Sequence, residues 1–361
     1  MISLTCKRWS LLSAGGFVFV ILLTVAMVVF VDPFEIYHQA TLFIPPINNT
    51  TQSYSNAGIA KNYDYDSVII GSSMTENFLP SELNKQLGGN FVKLCINGGS
   101  PFNHRQMLDM AFSTHDIKQV LYCIDIDMLT YFYTQAKADM PEYLYDDNLF
   151  NDVHYWFNKD VLATYIPRTL KTWGKQDASQ RDTMYSWGSL YTYGREAALR
   201  HISSLEKNVP QKEAPDNYSV SQQTKLNIEH NYLPIIESHP ETQFIFFFPP
   251  YSLVRWYEFY TYGDLDYHLS QCAAVANVLL SHENVSIFDF RSRLDWICNF
   301  DNYIDSYHYG PWINSKMVSC IARKEEQIVS AEEVQQNSEI IQDAVRDLLA
   351  TDTWPSYPSA E

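Results

Sequence analysis

Positive charge is what this chain has least of. Its 361 residues hold 25 Lys and Arg against 42 Asp and Glu, a formal charge of −17, and no basic stripe interrupts the acidic background. A phosphate backbone would be repelled, so a nucleic-acid role is excluded. Metal-ligand spacing is also missing: no CxxC and no His/Cys pattern suggests zinc, and no cofactor is expected. No internal repeat is visible. Disorder throughout is excluded by the 46% hydrophobic content, which suffices for one large domain or one domain with an insertion. The aromatic share is 15%, with 25 Tyr, which favours large packed surfaces and carbohydrate-facing or interfacial patches.

The first 31 residues contain no acid. Charge of either sign is absent from Trp9 to Val31, and FVFVILLTVAMVVFV is apolar enough for a helix of about 20 residues to cross a hydrocarbon layer of roughly 30 Å. Lys7 and Arg8 flank it, and positive residues stay cytoplasmic, so everything after Asp32 is expected outside the cytoplasm. A cleaved signal peptide would have a shorter apolar stretch ending in small residues, whereas this one ends in FVDPF. The expected layout is a cytoplasmic tip and anchor at 1–31, an irregular stalk at 32–62 containing Pro33, Pro45 and Pro46, a main domain at 63–350 and a disordered tail at 351–361. With Lys7 and Arg8 on the inner side, the exported part carries −19.

Cysteine usage is ambiguous. Cys6 lies at the cytoplasmic end of the anchor, where position alone is a poor signal for lipidation. Five remain outside, so at least one is unpaired in a monomer. Cys95 and Cys123 fall in strand-like apolar runs and read as small core residues. Cys298 could pair with Cys272 or Cys320 in an oxidising compartment.

Past the stalk, strand and helix alternate. Ser67 to Gly71 reads as a buried strand, 78–87 as a helix, 91–96 as a strand, 103–114 as a helix and 119–124 as a strand. That order implies an α/β fold, a parallel sheet with helices on both faces. Residues 128–220 interrupt it as a mainly helical insertion rich in Tyr, Trp and Asp. Alternation resumes with a helix at 221–238, the strand TQFIFFFPP, a helix at 267–281, the strand VSIFDF and a last helix at 331–349.

Two short motifs carry the chemistry. In VIIGSSM, Ser72 and Ser73 sit where the first strand should turn toward a helix. In IDSYHYG, Asp305 and His308 lie three residues apart. A serine nucleophile, a base and a carboxylate to orient that base are the minimum set for acyl transfer through a serine ester. In an open parallel sheet, reactive groups gather at the carboxyl ends of strands. Ser72 and Ser73 follow the first strand, Gly98 and Gly99 the second, and Asp125 and Asp127 the third, with Asp305 and His308 beyond the last, so all fall on one edge. Backbone N–H groups at Ser73 and the glycine turn could face a developing oxyanion.

These residues resemble the SGNH/GDSL hydrolases. GSSM matches that family's first block with Ser72 in the aspartate place and Ser73 as nucleophile; Gly98 or Gly99 matches the second; Asp305 and His308 match the last. The third block ordinarily supplies an asparagine, and here CIDID offers Asp125 or Asp127. Either Asp125 is structural and the oxyanion hole uses backbone groups alone, or Asn77, Asn97 or Asn103 substitutes. The resemblance implies a three-layer, flavodoxin-like sheet over residues 66–325. The membrane helix with GSS is similar to the branch containing the teichoic-acid D-alanyl transfer protein and polysaccharide O-acetylation proteins. By that resemblance the substrate is an acylated envelope glycopolymer or acyl carrier, with a membrane-bound O-acyltransferase as partner. A silent scaffold of the same fold, binding polysaccharide or that enzyme, is the alternative.

Weaker features complete the reading. PPYS at Pro249 to Ser252, with Arg255 and Trp256 behind it, lines the cleft or is a plain loop. Glu35 and His38 repeat the Asp-x-x-His type of spacing but stand beside the membrane. Asn49, Asn217 and Asn284 begin N-x-S/T sequons. Tyr155, Trp156, Trp173 and Trp187 are expected to pack a small core of their own rather than stack on sugars.

Overall fold

The computed structural model describes residues 2–175, 177, 180–200, 202, 221–351 and 353–355. The chain divides into two compact units, Met1–Tyr63 with Pro141–Ser179, and Asp64–Met140 with Gln180–Glu361. The Asn217 sequon and residues 356–361 of the expected tail lie outside the described residues.

In the first unit the N-terminal helix runs Ile2–Val31. Its stretch Cys6–Val31 is long and apolar enough to cross a membrane, and only 11% of its most apolar window is buried, unlike the core helix of a soluble protein. The helix stops at Asp32, whose backbone turns to φ +37°. There the Asp32 carboxylate accepts the N–H groups of Ile36, Tyr37 and His38 at 2.9, 2.6 and 3.1 Å, which organises the turn that follows. Burial raises the Asp32 carboxyl to about 6 in spite of those bonds. The expected irregular stalk contains a helix, Gln52–Asn62. That helix approaches the 34–35 backbone so closely that a Cβ on Gly58 would sit 2.0 Å from the Phe34 carbonyl oxygen. Proline at 33, 45 and 46 hid this element, because the helix begins only after the last of them. Val28, Val31, Phe34, Ile36 and Ala57 form one apolar cluster with Leu144, Tyr155, Val161 and Ile166. The front half of the aromatic insertion thus packs a core, as expected for Tyr155, and does so with the chain's own N-terminal segment.

The second unit is built on a six-stranded sheet in the order β2-β1-β3-β4-β5-β6. The strands are β1 Ser67–Gly71, β2 Phe91–Cys95, β3 Gln119–Cys123, β4 Gln243–Phe248, β5 Val285–Asp289 and β6 Gln327–Ile328. The first five are parallel and β6 is antiparallel. The sheet is therefore mixed and mostly parallel, flanked by helices, which corrects the purely parallel expectation. A two-residue edge strand has no periodicity to read. Val68, Ile69 and Ile70 are wholly buried, as expected of a strand covered on both sides. All six cysteines are free, so the pairings considered for Cys298 do not form; Cys95 and Cys123 are core residues of β2 and β3.

The 2-1-3-4-5 order reverses direction between β1 and β3, and the crevice at such a switch point is where open α/β sheets bind ligands. That crevice holds the motif Gly71-Ser72-Ser73. A side chain on Gly71, at φ +152°, would meet Thr75 Cγ2 at 2.7 Å and Cys123 Cβ at 2.9 Å, so glycine is required where the chain leaves β1.

Candidate functional site

Three side chains from two distant parts of the sequence meet at the carboxyl edge of the sheet. Ser73 Oγ lies 2.8 Å from His308 Nε2, and His308 Nδ1 lies 2.7 Å from Asp305 Oδ2. The second Asp305 oxygen accepts the backbone N–H groups of Tyr307 at 3.0 Å and His308 at 2.7 Å. Burial alone would raise the Asp305 carboxyl; the hydrogen bond and electrostatic attraction of His308, with those two N–H groups, outweigh it and hold the group below the ordinary carboxylate range. Asp305 is thus ionised and fixed on three sides, and an ionised partner at Nδ1 keeps the proton there and leaves Nε2 free to accept from Ser73.

Residues 303–309 form a closed loop. Tyr303 and Tyr309 pair as an antiparallel bridge, Ile304 N donates to His308 O at 3.1 Å, and Gly310 N donates to Asn302 O at 2.8 Å. Neighbouring groups fasten the loop to both sides of the crevice. Tyr303 donates to Pro250 O at 2.7 Å and Ser252 Oγ donates to Ser306 O. Tyr309 and Asn314 both donate to Met74 O at 3.3 Å. The PPYS turn therefore works as a clamp on the histidine loop. Behind it runs a helix, Leu253–Thr261, which contains Arg255 and the buried Trp256. Arg255 binds Asp127 at 2.7 Å and Glu258 at 2.9 Å, with its guanidinium 5.5 Å from the centre of the Tyr307 ring.

Trp187, from the far half of the insertion, closes the other side. Its indole N–H donates to Ser73 O at 3.2 Å, and its ring meets the His308 ring edge-on at 5.4 Å. Nothing in the local sequence distinguishes Trp187 from the other tryptophans, because its partners lie more than 100 positions away.

The candidates for stabilising an oxyanion separate clearly. Asp125 is partly buried: Ser72 Oγ donates to its Oδ2 at 2.6 Å and Tyr251 OH to its Oδ1. Burial and the charge of Asp127 raise its carboxyl, and these two hydrogen bonds only partly counter them. Both oxygens are thus turned to hydroxyls that brace the nucleophile turn. Asn103 is a structural residue: it forms a capping box with Ser100 at the start of the helix Pro101–Thr114, and its carbonyl also accepts the N–H groups of Lys137 and Ala138. Asn77 accepts the N–H groups of Trp187 and Gly188 at 3.1 and 2.9 Å, while its buried amide nitrogen has no acceptor. Gly99 is packed, since a Cβ there would lie 2.4 Å from Ile96 Cγ2; Gly98, at φ +62°, faces open space. Among the described residues, the N–H groups of Ser73 and Gly98 have no acceptor. Register places both turns side by side, because Gly71 pairs with Cys95 and Ile96 N donates to Gly71 O at 3.0 Å.

The arrangement can therefore deprotonate Ser73 through His308 and offers unpaired backbone donors next to it. Comparison of the chain with protein-family models, curated proteins and solved structures returns no match, and the reading of the site rests on its own geometry.

Proposed function

We propose that the chain is a membrane-anchored serine acyltransferase or esterase of the SGNH type, with a three-layer α/β domain, working at the outer face of the membrane on an acylated cell-envelope glycopolymer or acyl carrier. The observation that carries the reading is the continuous hydrogen-bonded path Ser73–His308–Asp305 at the strand-end edge. His308 Nε2 takes the Ser73 proton as Oγ attacks the acyl carbonyl carbon. The N–H groups of Ser73 and Gly98 receive the developing oxyanion. The imidazolium, held by Asp305, then gives its proton to the departing oxygen or nitrogen, leaving an ester on Ser73. Water or a polymer hydroxyl, deprotonated by the same imidazole, releases it. Lys7 and Arg8 before the apolar helix support an inside N-terminus, and a membrane-bound O-acyltransferase is the partner that would supply the acyl group.

Fluorophosphonate labelling of the full chain in detergent micelles tests the reading. Labelling of the native protein, lost in Ser73→Ala and His308→Ala and retained in Ser72→Ala, is expected. A folded native protein that takes no label, or a label that survives Ser73→Ala, rejects it.

A further inference from the structure

We propose that the turn around Trp173 in the first unit is a second membrane contact, a collar that sits among anionic phospholipid headgroups at the Val31 end of the membrane helix. The proposal rests on the membrane-span reading above and adds to it a surface formed by another part of the chain.

Depth follows from helix geometry. Trp9 and Phe30 are both exposed and stand 21 residues apart, about 32 Å along a helix rising ~1.5 Å per residue. That matches the roughly 30 Å hydrocarbon layer, with Trp9 at one boundary beside Lys7 and Arg8. Phe30 therefore marks the opposite boundary. The Trp173 ring lies 6.2 Å from Phe30, and both rings contact Phe43, at 5.1 Å from Trp173 and 6.1 Å from Phe30. A tryptophan at that level occupies the position of an interfacial aromatic belt.

Two hydrogen bonds tie the turn to residues 42–44. Ile44 N donates to Thr172 Oγ1 at 2.9 Å, and Gly174 N donates to Leu42 O at 2.8 Å. Yet its apolar groups face outward: Trp173 is 58% exposed, Leu42 42% and Leu170 38%. Through its ring contact with Phe30, Trp173 adjoins the exposed surface of the apolar helix, which is covered if the helix is in lipid.

Charge selects the kind of lipid. Residues 161–175 contain Arg168, Lys171 and Lys175 and no acid, in a chain of net charge −17. All three cations are exposed, and none makes an ion pair among the described residues. Aromatic and aliphatic groups flanked by cations are the composition of an interfacial segment that binds anionic headgroups.

The test uses the full chain, reconstituted at low density into phosphatidylcholine vesicles with and without phosphatidylglycerol. The lipids carry bromine either near the headgroup end or near the tail end of the acyl chains. Subtracting the emission of Trp173→Phe isolates Trp173. Shallow bromines should quench that component more than deep ones, phosphatidylglycerol should increase the quenching, and the triple variant Arg168→Gln/Lys171→Gln/Lys175→Gln should lose the increase. A Trp173 component open to aqueous acrylamide and indifferent to bromine overturns the collar. Protection that grows with protein density instead of bromine assigns the patch to a second copy and also overturns it. Alkaline carbonate washing followed by flotation reads the span separately: a chain that floats with its vesicles but shows no quenching defeats the collar alone, and a chain that washes off defeats the span beneath it.

Discussion

Replacing Asp305 with Asn changes one atom and should remove nearly all reactivity. The Asp305 carboxylate accepts three hydrogens, two from the backbone on Oδ1 and one from His308 Nδ1 on Oδ2. An asparagine can take two orientations. If its amide nitrogen faced the Tyr307 and His308 N–H groups, two backbone bonds would be replaced by opposed donors, at about 1–3 kcal/mol for each group left unpaired. The side chain therefore keeps its oxygen on the backbone and turns its NH₂ toward His308 Nδ1, 2.7 Å away. Imidazole must then accept at Nδ1 and carry its proton on Nε2, aimed at Ser73 Oγ, where it can no longer take the serine proton.

The consequence is a loss of about 10⁴-fold, the scale seen when the same tautomer is imposed on a serine–histidine pair in an unrelated serine protease, or about 5.5 kcal/mol in the barrier. The fluorophosphonate labelling rate measures it without knowledge of the natural substrate. Since both backbone bonds survive, the melting temperature should hardly move. Asp305→Ala, which imposes no tautomer, should label no more slowly than Asp305→Asn even though it is the larger truncation. An Asn variant within tenfold of the native rate would refute the reasoning, because it would mean that the orientation of His308 is set by something other than Asp305.

Lys93, on β2, is buried, with Nζ donating to Glu76 O at 3.0 Å and Ser186 Oγ at 3.1 Å, and burial pushes it down from 10.5 to about 8. Between those values the unfolded chain holds a proton that the folded one has released, so stability should rise with pH from about 8 to about 10.5. At about 1.4 kcal/mol per pH unit the penalty at neutral pH is of order 3 kcal/mol; Lys93→Met should relieve much of it and flatten the slope, and urea denaturation at pH 7 and pH 10 that finds the variant weaker at both would reject this. Tyr251→Phe should cost about 1–2 kcal/mol, since it takes a hydroxyl from a partly buried carboxylate, and Asp125→Asn in the same chain should recover most of that loss; a double variant as unstable as the two single effects added together would contradict the pairing.

Much of the sheet was readable because β1 to β5 are apolar runs bounded by polar residues, with helices between them. The edge β6 was not, being two residues long. The helix Pro311–Arg323 also escaped, although its proline in the first turn and its buried Ile313, Met317 and Ile321 are signals that could have found it. Ser73, His308 and Asp305 were legible because each stands in a short motif at a strand end or a tight loop. Trp187, Tyr251 and Ser252 act through contacts 54 to 126 positions away, and no local pattern encodes such distances. Asn103 caps a helix, and a capping residue next to a glycine turn has the same composition as an oxyanion turn, so sequence alone does not separate the two.

The role of Asp125 at the end of β3 becomes intelligible once its partners are known. A free carboxylate beside an oxyanion would raise the barrier of the proposed reaction, whereas each Asp125 oxygen accepts from a hydroxyl, one from Ser72 and one from Tyr251. Those two bonds join the turn after β1, the end of β3 and the PPYS turn after β4. Through Ser252 and Tyr303 the same PPYS turn holds the loop carrying His308. Asp125 thus links the turn carrying Ser73 to the PPYS turn that holds the His308 loop. Such a brace is also costly, because a partly buried acid beside Asp127 resists ionising, and the Arg255 guanidinium bound to Asp127 relieves part of that repulsion. The Arg255–Asp127 pair and the two hydroxyls on Asp125 are therefore parts of one arrangement, in which each oxygen of the Asp125 carboxylate is turned to a hydroxyl donor.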